Sequence, residues 1–187
     1  TKGLDFRKVG LVGIMNADTM LNFPDFRAHE RSFQLMVQVA GRAGRTERQG
    51  KVMIQTFDPY HQILQQVSSN SYKKMFKEQL EDRRTFKYPP FYRLIKITIR
   101  HRDIQKVNMA SDWFAQALRQ NIDVEVLGPE FPPVSRIRNQ YHKNILLKIE
   151  KNKSLSKTKK AIVKINNSFQ SVKDFRPVRV VVNVDPY

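Results

Sequence analysis

The pattern of the sequence predicts an α/β segment followed by an α+β domain, and three observations predict it. A short apolar run, Val9 to Ile14, precedes a helical period and a second strand-like run, Lys51 to Thr56. A stiff Tyr88-Pro89-Pro90-Phe91 then interrupts the chain, and two prolines forbid helix continuation. Beyond it the hydrophobic period alternates between two and 3.6 in the order β-α-β-β-α-β, the split arrangement that gives a four-stranded sheet with helices on one face.

In the first part, Val9 to Ile14 is bounded by turn signals, as expected for a strand buried on both faces of a parallel sheet. Phe26, Phe33, Met36, Val37 and Ala40 fall on one face of a helix, and Asp25 after Pro24 is expected to cap its start. That helix runs into Gln38-Val39-Ala40-Gly41-Arg42-Ala43-Gly44-Arg45, where glycines alternate with arginines. Two guanidiniums at a helix end form a fork suited to phosphate oxygens. The competing reading is a helix end with two solvated arginines, or an ion pair of Arg42 with Glu30 or Asp18. A turn at Asp58-Pro59-Tyr60 leads to a short helix bearing Ile63, Leu64 and Val67. A charged helix, Asn70 to Arg84, follows, with Tyr72, Met75, Phe76 and Leu80 on one stripe and lysines on a face read as solvated.

The aromatics of Phe86 to Tyr92 suit either base stacking or packing onto the sheet that follows. In that sheet Ile95, Ile97 and Ile99 alternate with Leu94, Lys96 and Thr98, predicting a strand over 94–100. A helix over 103–119 places Val107, Ala110, Phe114 and Leu118 inward, with Trp113 at the border of the stripe. Strands are expected over 124–127, 141–150 and 176–184, with a lysine-rich helix over 155–169. Between the second and third strands, Arg136, Arg138, Tyr141 and Lys143 interleave cations with an aromatic, the composition of a surface that tracks a nucleic-acid backbone and stacks on bases. This loop is expected to project as the hairpin between the two central strands. The competing reading is a plain hairpin with a basic tip, and Lys157, Lys159, Lys160 and Lys164 are more diffuse candidates.

Composition narrows the function. The 187 residues carry a net charge of +17, a surplus that points to a polyanion partner, above all nucleic acid. No apolar run approaches the roughly 20 residues that span a bilayer, and no basic amphipathic helix stands out for a membrane surface. Cysteine is absent, so disulfides and cysteine-ligated zinc are excluded from this stretch, and the four histidines show no metal-ligand spacing.

The polar Thr1-Lys2-Gly3 before the first strand and the Gly-Arg repeats after the next helix resemble motifs V and VI of superfamily-2 helicases. Together with Pro24-Asp25-Phe26-Arg27-Ala28-His29-Glu30-Arg31-Ser32-Phe33-Gln34, Tyr88-Pro89-Pro90-Phe91, Val126-Leu127-Gly128-Pro129 and Val184-Asp185-Pro186, they resemble the primosomal protein N′ family of replication-restart DNA helicases. The resemblance covers nearly the whole chain. It implies a partial RecA-like lobe over 1–57, a helical connector and linker over 58–92, and a C-terminal DNA-binding domain over 93–187 that resembles a small-subunit ribosomal protein. It implies an ATP-dependent 3′→5′ helicase that recognises stalled or branched forks and restarts replication by primosome assembly.

Carried onto this chain, Arg45 is the arginine finger, Arg42 the second phosphate ligand, and Gln38 positions water or nucleotide. Thr1, Lys2 and Gly3 link nucleotide to DNA strand, and Asp5 is a candidate for ribose or for motif VI. ATP and magnesium are the expected cofactors of the full-length protein, and zinc belongs only to an insert outside this stretch. No Gly-x-x-x-x-Gly-Lys-Ser/Thr loop and no acidic Walker B element occur, so this stretch alone is expected to be inactive. Branched and single-stranded DNA, single-stranded DNA-binding protein and other primosome proteins are the expected partners, in a bacterial cytoplasm. The alternative is a non-catalytic nucleic-acid-binding module of ribosomal-protein-like fold.

Overall fold

Two runs far apart in sequence pair as neighbouring strands in the first unit. Leu11–Ile14 (β1) and Lys51–Ile54 (β2) pair in parallel, Leu11 opposite Lys51 and Ile14 opposite Ile54. The computed structural model describes residues 9–43 and 50–186, and the chain divides into the units Thr1–Thr85 and Phe86–Tyr187. The division after Thr85 falls within the stretch 58–92, read from the sequence as a helical connector and a Pro/aromatic linker.

In the first unit, Ala17–Leu21 (α1) is a short helix that the sequence pattern did not announce. Asn16 starts it with a left-handed backbone, and its side chain accepts the Thr19 N–H. Ala28–Ala40 (α2), Gln62–Ser68 (α3) and Tyr72–Thr85 (α4) complete the unit. Ala17, Leu21, Phe33, Met36, Ile63, Leu64, Val67 and Met75 form its core, with Ile14 and Ile54 packed against them. Asp25 does not cap α2, which begins three residues later. Its carboxylate instead organises the preceding turn, accepting the Arg27 N–H at 2.9 Å and pairing with Arg31 at 2.6 Å. Nor is β1 buried on both faces: Leu11 remains 56% exposed. With one neighbouring strand among the described residues, the sheet buries only the side against which the helices pack.

The second unit begins with Tyr92–His101 (β3) and continues through Ile104–Asn121 (α5), Glu125–Glu130 (β4), Arg136–Ile137 (β5), Gln140–Glu150 (β6), Leu155–Ser171 (α6) and Arg179–Val184 (β7). Asp103 and Ser154 cap the two helices by accepting N–H groups of the first turn. The strand order is β4-β6-β3-β7, with every pairing antiparallel and β5 added as a small ribbon on β6. The final strand starts at Arg179, later than its apolar pattern suggested, because Lys173–Phe175 close a turn of 3-10 helix first.

Alternation along each strand decides the two faces. Ile95, Ile97, Ile99, Ile145, Leu147 and Ile149 are buried under α5 and α6, where Phe114 and Phe169 meet edge to face at 5.4 Å. Trp113 borders this cluster, 5.6 Å from Phe169. Residues Phe86 to Tyr92 pack onto one end of the opposite face. There Lys148, only 8% exposed, donates to the Phe86 carbonyl at 2.6 Å and lies 4.0 Å from the Tyr88 ring. Burial pushes the Lys148 ammonium below its ordinary range, and Lys87 adds to that while Glu125 opposes it.

Candidate nucleic-acid interface

The last turn of α2 carries the first group of candidate residues. Gln38 is exposed there and lines a surface groove with Arg31, Gln34 and Leu35. Gly41 ends the helix with an ordinary right-handed backbone, its N–H on the Val37 carbonyl at 2.9 Å, and Arg42 continues the turn through Val39. The two carboxylates offered to Arg42 by the sequence have other partners. Glu30 pairs with Arg83, and Asp18 accepts the Thr56 hydroxyl at 2.9 Å and the Phe57 N–H at 3.1 Å. Desolvation raises the Asp18 carboxyl, but those two hydrogen bonds, its own backbone N–H and the nearby His61 together leave the group below its ordinary value. Thr1, Lys2, Gly3, Asp5 and Arg45 lie outside the described residues.

The second group sits in the second unit. Its hairpin joins β4, an edge strand, to the central β6, so it does not lie between two central strands. Arg138 and Asn139 both adopt positive φ, 48° and 61°, the pair of left-handed conformations that a tight two-residue turn demands. Asparagine and glycine favour that geometry; arginine tolerates it at a cost of about 1–2 kcal/mol. Arg136 stands opposite Tyr141, its guanidinium 5.2 Å from the ring centre, and it also bonds the Asn139 side chain. The structure thus brings Arg136, Arg138 and Tyr141 to one hairpin end. Lys143 points to the helix-covered side, 13% exposed, 4.0 Å from an Asp112 oxygen and 5.1 Å from the Phe131 ring centre.

A third group was missed by sequence reasoning. On the face of the sheet opposite the helices, Arg179, Arg100 and His142 stand in one cross-strand row, Arg100 directly opposite both of the others. Burial lowers the His142 imidazole below its ordinary value, the Arg100 charge lowers it further, and a backbone hydrogen bond at Ile137 opposes both. The signal was present as the polar positions that alternate with Ile95, Ile97 and Ile99. Which strands would stand beside Arg100 was not readable without the strand order.

Among the described residues no helix is long and apolar enough to cross a membrane, and no group of three His, Asp or Glu side chains could hold a metal ion. Comparison with known proteins follows the same division of the chain. A family model described as the primosomal protein N C-terminal domain matches residues 84–187. Proteins called replication restart protein PriA resemble the chain throughout. That of Bacillus subtilis is 36% identical over 188 residues, covering 100% of this chain and 23% of the relative. That of Haemophilus influenzae is 36% identical, covering 99% and 25%, and that of Synechocystis is 34% identical, covering 99% and 21%. The chain therefore spans about a quarter of the length of the curated relatives it matches. With more than half of its residues inside the family model, the chain belongs to the primosomal protein N C-terminal domain family.

Proposed function

We propose that this chain is the C-terminal part of an ATP-dependent 3′→5′ DNA helicase that recognises stalled or branched forks and restarts replication by assembling a primosome. The observation that carries the reading is the family match over the second unit together with PriA relatives that extend it across the first. Residues 1–57 are then the remnant of a RecA-like lobe. In support, the two-stranded parallel sheet leaves Leu11 and Met53 exposed, as a sheet awaiting further strands would. The second unit supplies DNA contact, with a β-α-β-β-α-β order compatible with a ribosomal-protein-like fold. Magnesium-bound ATP, branched and single-stranded DNA, single-stranded DNA-binding protein and other primosome proteins are the ligands and partners of this proposal.

In this reading Gln38 and Arg42 belong to the phosphate side of a nucleotide. A helix C-terminus carries partial negative charge and repels phosphate, so an anion held there needs side-chain cations. Arg42 stands at such an end, one residue beyond the glycine that closes α2. Its role is to bind phosphate oxygens; Gln38 orients what lies beside them. Arg45 stabilises the charge that develops as the terminal phosphoryl group leaves.

The test is made in the full-length protein. Arg45→Ala is expected to lower DNA-stimulated ATP turnover by about 10³ or more while DNA affinity stays intact. Arg42→Ala is expected to lower turnover as well. Unchanged turnover in both variants rules out the motor assignment and leaves the alternative, a non-catalytic binding module, which the self-contained core of the second unit favours.

A further inference from the structure

The row Arg179–Arg100–His142 carries an unusual burden. Residues directly opposite on adjacent antiparallel strands lie roughly 5 Å apart, and like charges so placed destabilise the sheet. Here two guanidiniums occupy one such pair, and the next position along the row is a histidine. Among the described residues, the ion pairs at Lys87–Glu125, Lys143–Asp112 and Lys153–Asp123 involve neither Arg100 nor Arg179. Arg100 also buries its Nε without any hydrogen-bond acceptor. A buried donor on a cation with no acceptor is costly, and native proteins seldom leave one so.

The surroundings specify what could relieve this arrangement. Both helices of the unit pack on the other side of the sheet, so the row is not covered by either. Beside it, the Thr98 hydroxyl donates to the Asn144 side chain at 2.8 Å, and Val181 stands opposite Thr98 on the other side. From Leu94 to Arg100, His142 to Lys148 and Arg179 to Asn183, the outward positions carry no Phe, Tyr or Trp. Four-stranded sheets that read bases do so by stacking them on outward aromatics. This face lacks them, so its chemistry suits phosphates, which position a strand without reading it.

We infer that the open face of the sheet binds the phosphodiester backbone of single-stranded DNA, with Arg100 and Arg179 as the paired phosphate ligands. The row runs from β7 across β3 to β6, about 10 Å, a span that successive phosphates of one strand can follow. The inference rests on reading the second unit as a nucleic-acid binder, but it is independent of the hairpin residues, since Arg136 and Tyr141 belong to the helix-covered side of β6 and Arg138 to the turn.

Two measurements on the full chain test it. In the unaltered chain, a saturating mixed-sequence single-stranded oligonucleotide is expected to protect Arg179 from dicarbonyl modification, read by mass spectrometry. Undiminished modification of Arg179 overturns the inference. In the second, R100Q/R179Q is expected to weaken oligonucleotide affinity about tenfold at low salt and to flatten the slope of log affinity against log salt by about 1.4, two phosphate contacts at roughly 0.7 each. R100K/R179K, which keeps the charge, is expected to retain most of that slope. An unchanged slope in R100Q/R179Q overturns the inference, and so does an equal loss for duplex and single strand. Protection at Arg179 without protection at Arg138 would sink the hairpin reading and leave this one standing; the reverse would do the opposite.

Discussion

The two sheets of this chain are built from similar apolar material and end in different states. β1 and β2 pair in parallel and leave Leu11 56% and Met53 64% exposed, while Ile95, Ile97 and Ile99 at the heart of the second sheet are fully buried. The difference is neighbours rather than composition. A two-stranded sheet can be covered on one side by the helices its own chain supplies, but its outer edges and second face stay open. Four strands in the order β4-β6-β3-β7 give two central strands, and α5 and α6 then seal one face. The second unit is therefore self-sufficient in its core, and its remaining open face is polar by sequence rather than apolar by incompleteness.

The sharpest way to break this comparison is to hollow out the sealed face. Phe114→Ala removes a fully buried ring that touches Phe169 and lies beside Trp113, and is expected to destabilise the second unit by about 3–5 kcal/mol. The chain has one tryptophan, Trp113, so its fluorescence in a denaturant titration reports this unit alone. A midpoint that hardly moves would mean that the sealed core is not what holds the unit together.

A smaller effect is expected at the edge of the same sheet. Gly128 sits at the irregularity of β4 with φ +86°, and a Cβ there would lie 2.6 Å from the Asn144 carbonyl oxygen. Gly128→Ala is expected to cost about 1–3 kcal/mol, through the backbone conformation and the clash together. The same tryptophan signal checks it, and a cost as large as that of Phe114→Ala would show that the edge matters as much as the core.

Much of this was legible in the sequence. The period-two pattern at Ile95, Ile97 and Ile99 and the helical stripe through Val107, Ala110, Phe114 and Leu118 located β3 and α5 because burial on one face leaves a periodic trace. Other features left no such trace. The start of α2 was placed too early because Asp25 followed by a hydrophobe imitates a cap, whereas its carboxylate serves the turn and Arg31. Lys143 read as a hairpin cation, yet β6 alternation turns it toward Asp112. The Arg179–Arg100–His142 row joins residues far apart along the chain. Only strand order makes them neighbours, and no local pattern encodes it.

The central claim is that the second unit holds nucleic acid through its phosphates, and the salt dependence of binding tests it most directly. For a mixed-sequence single-stranded oligonucleotide, log affinity is expected to fall linearly with log salt, and Arg136→Ala with Arg138→Ala to flatten that line by up to about 1.4. An affinity that does not respond to salt, or that depends on the sequence of the oligonucleotide more than on salt, would contradict the account.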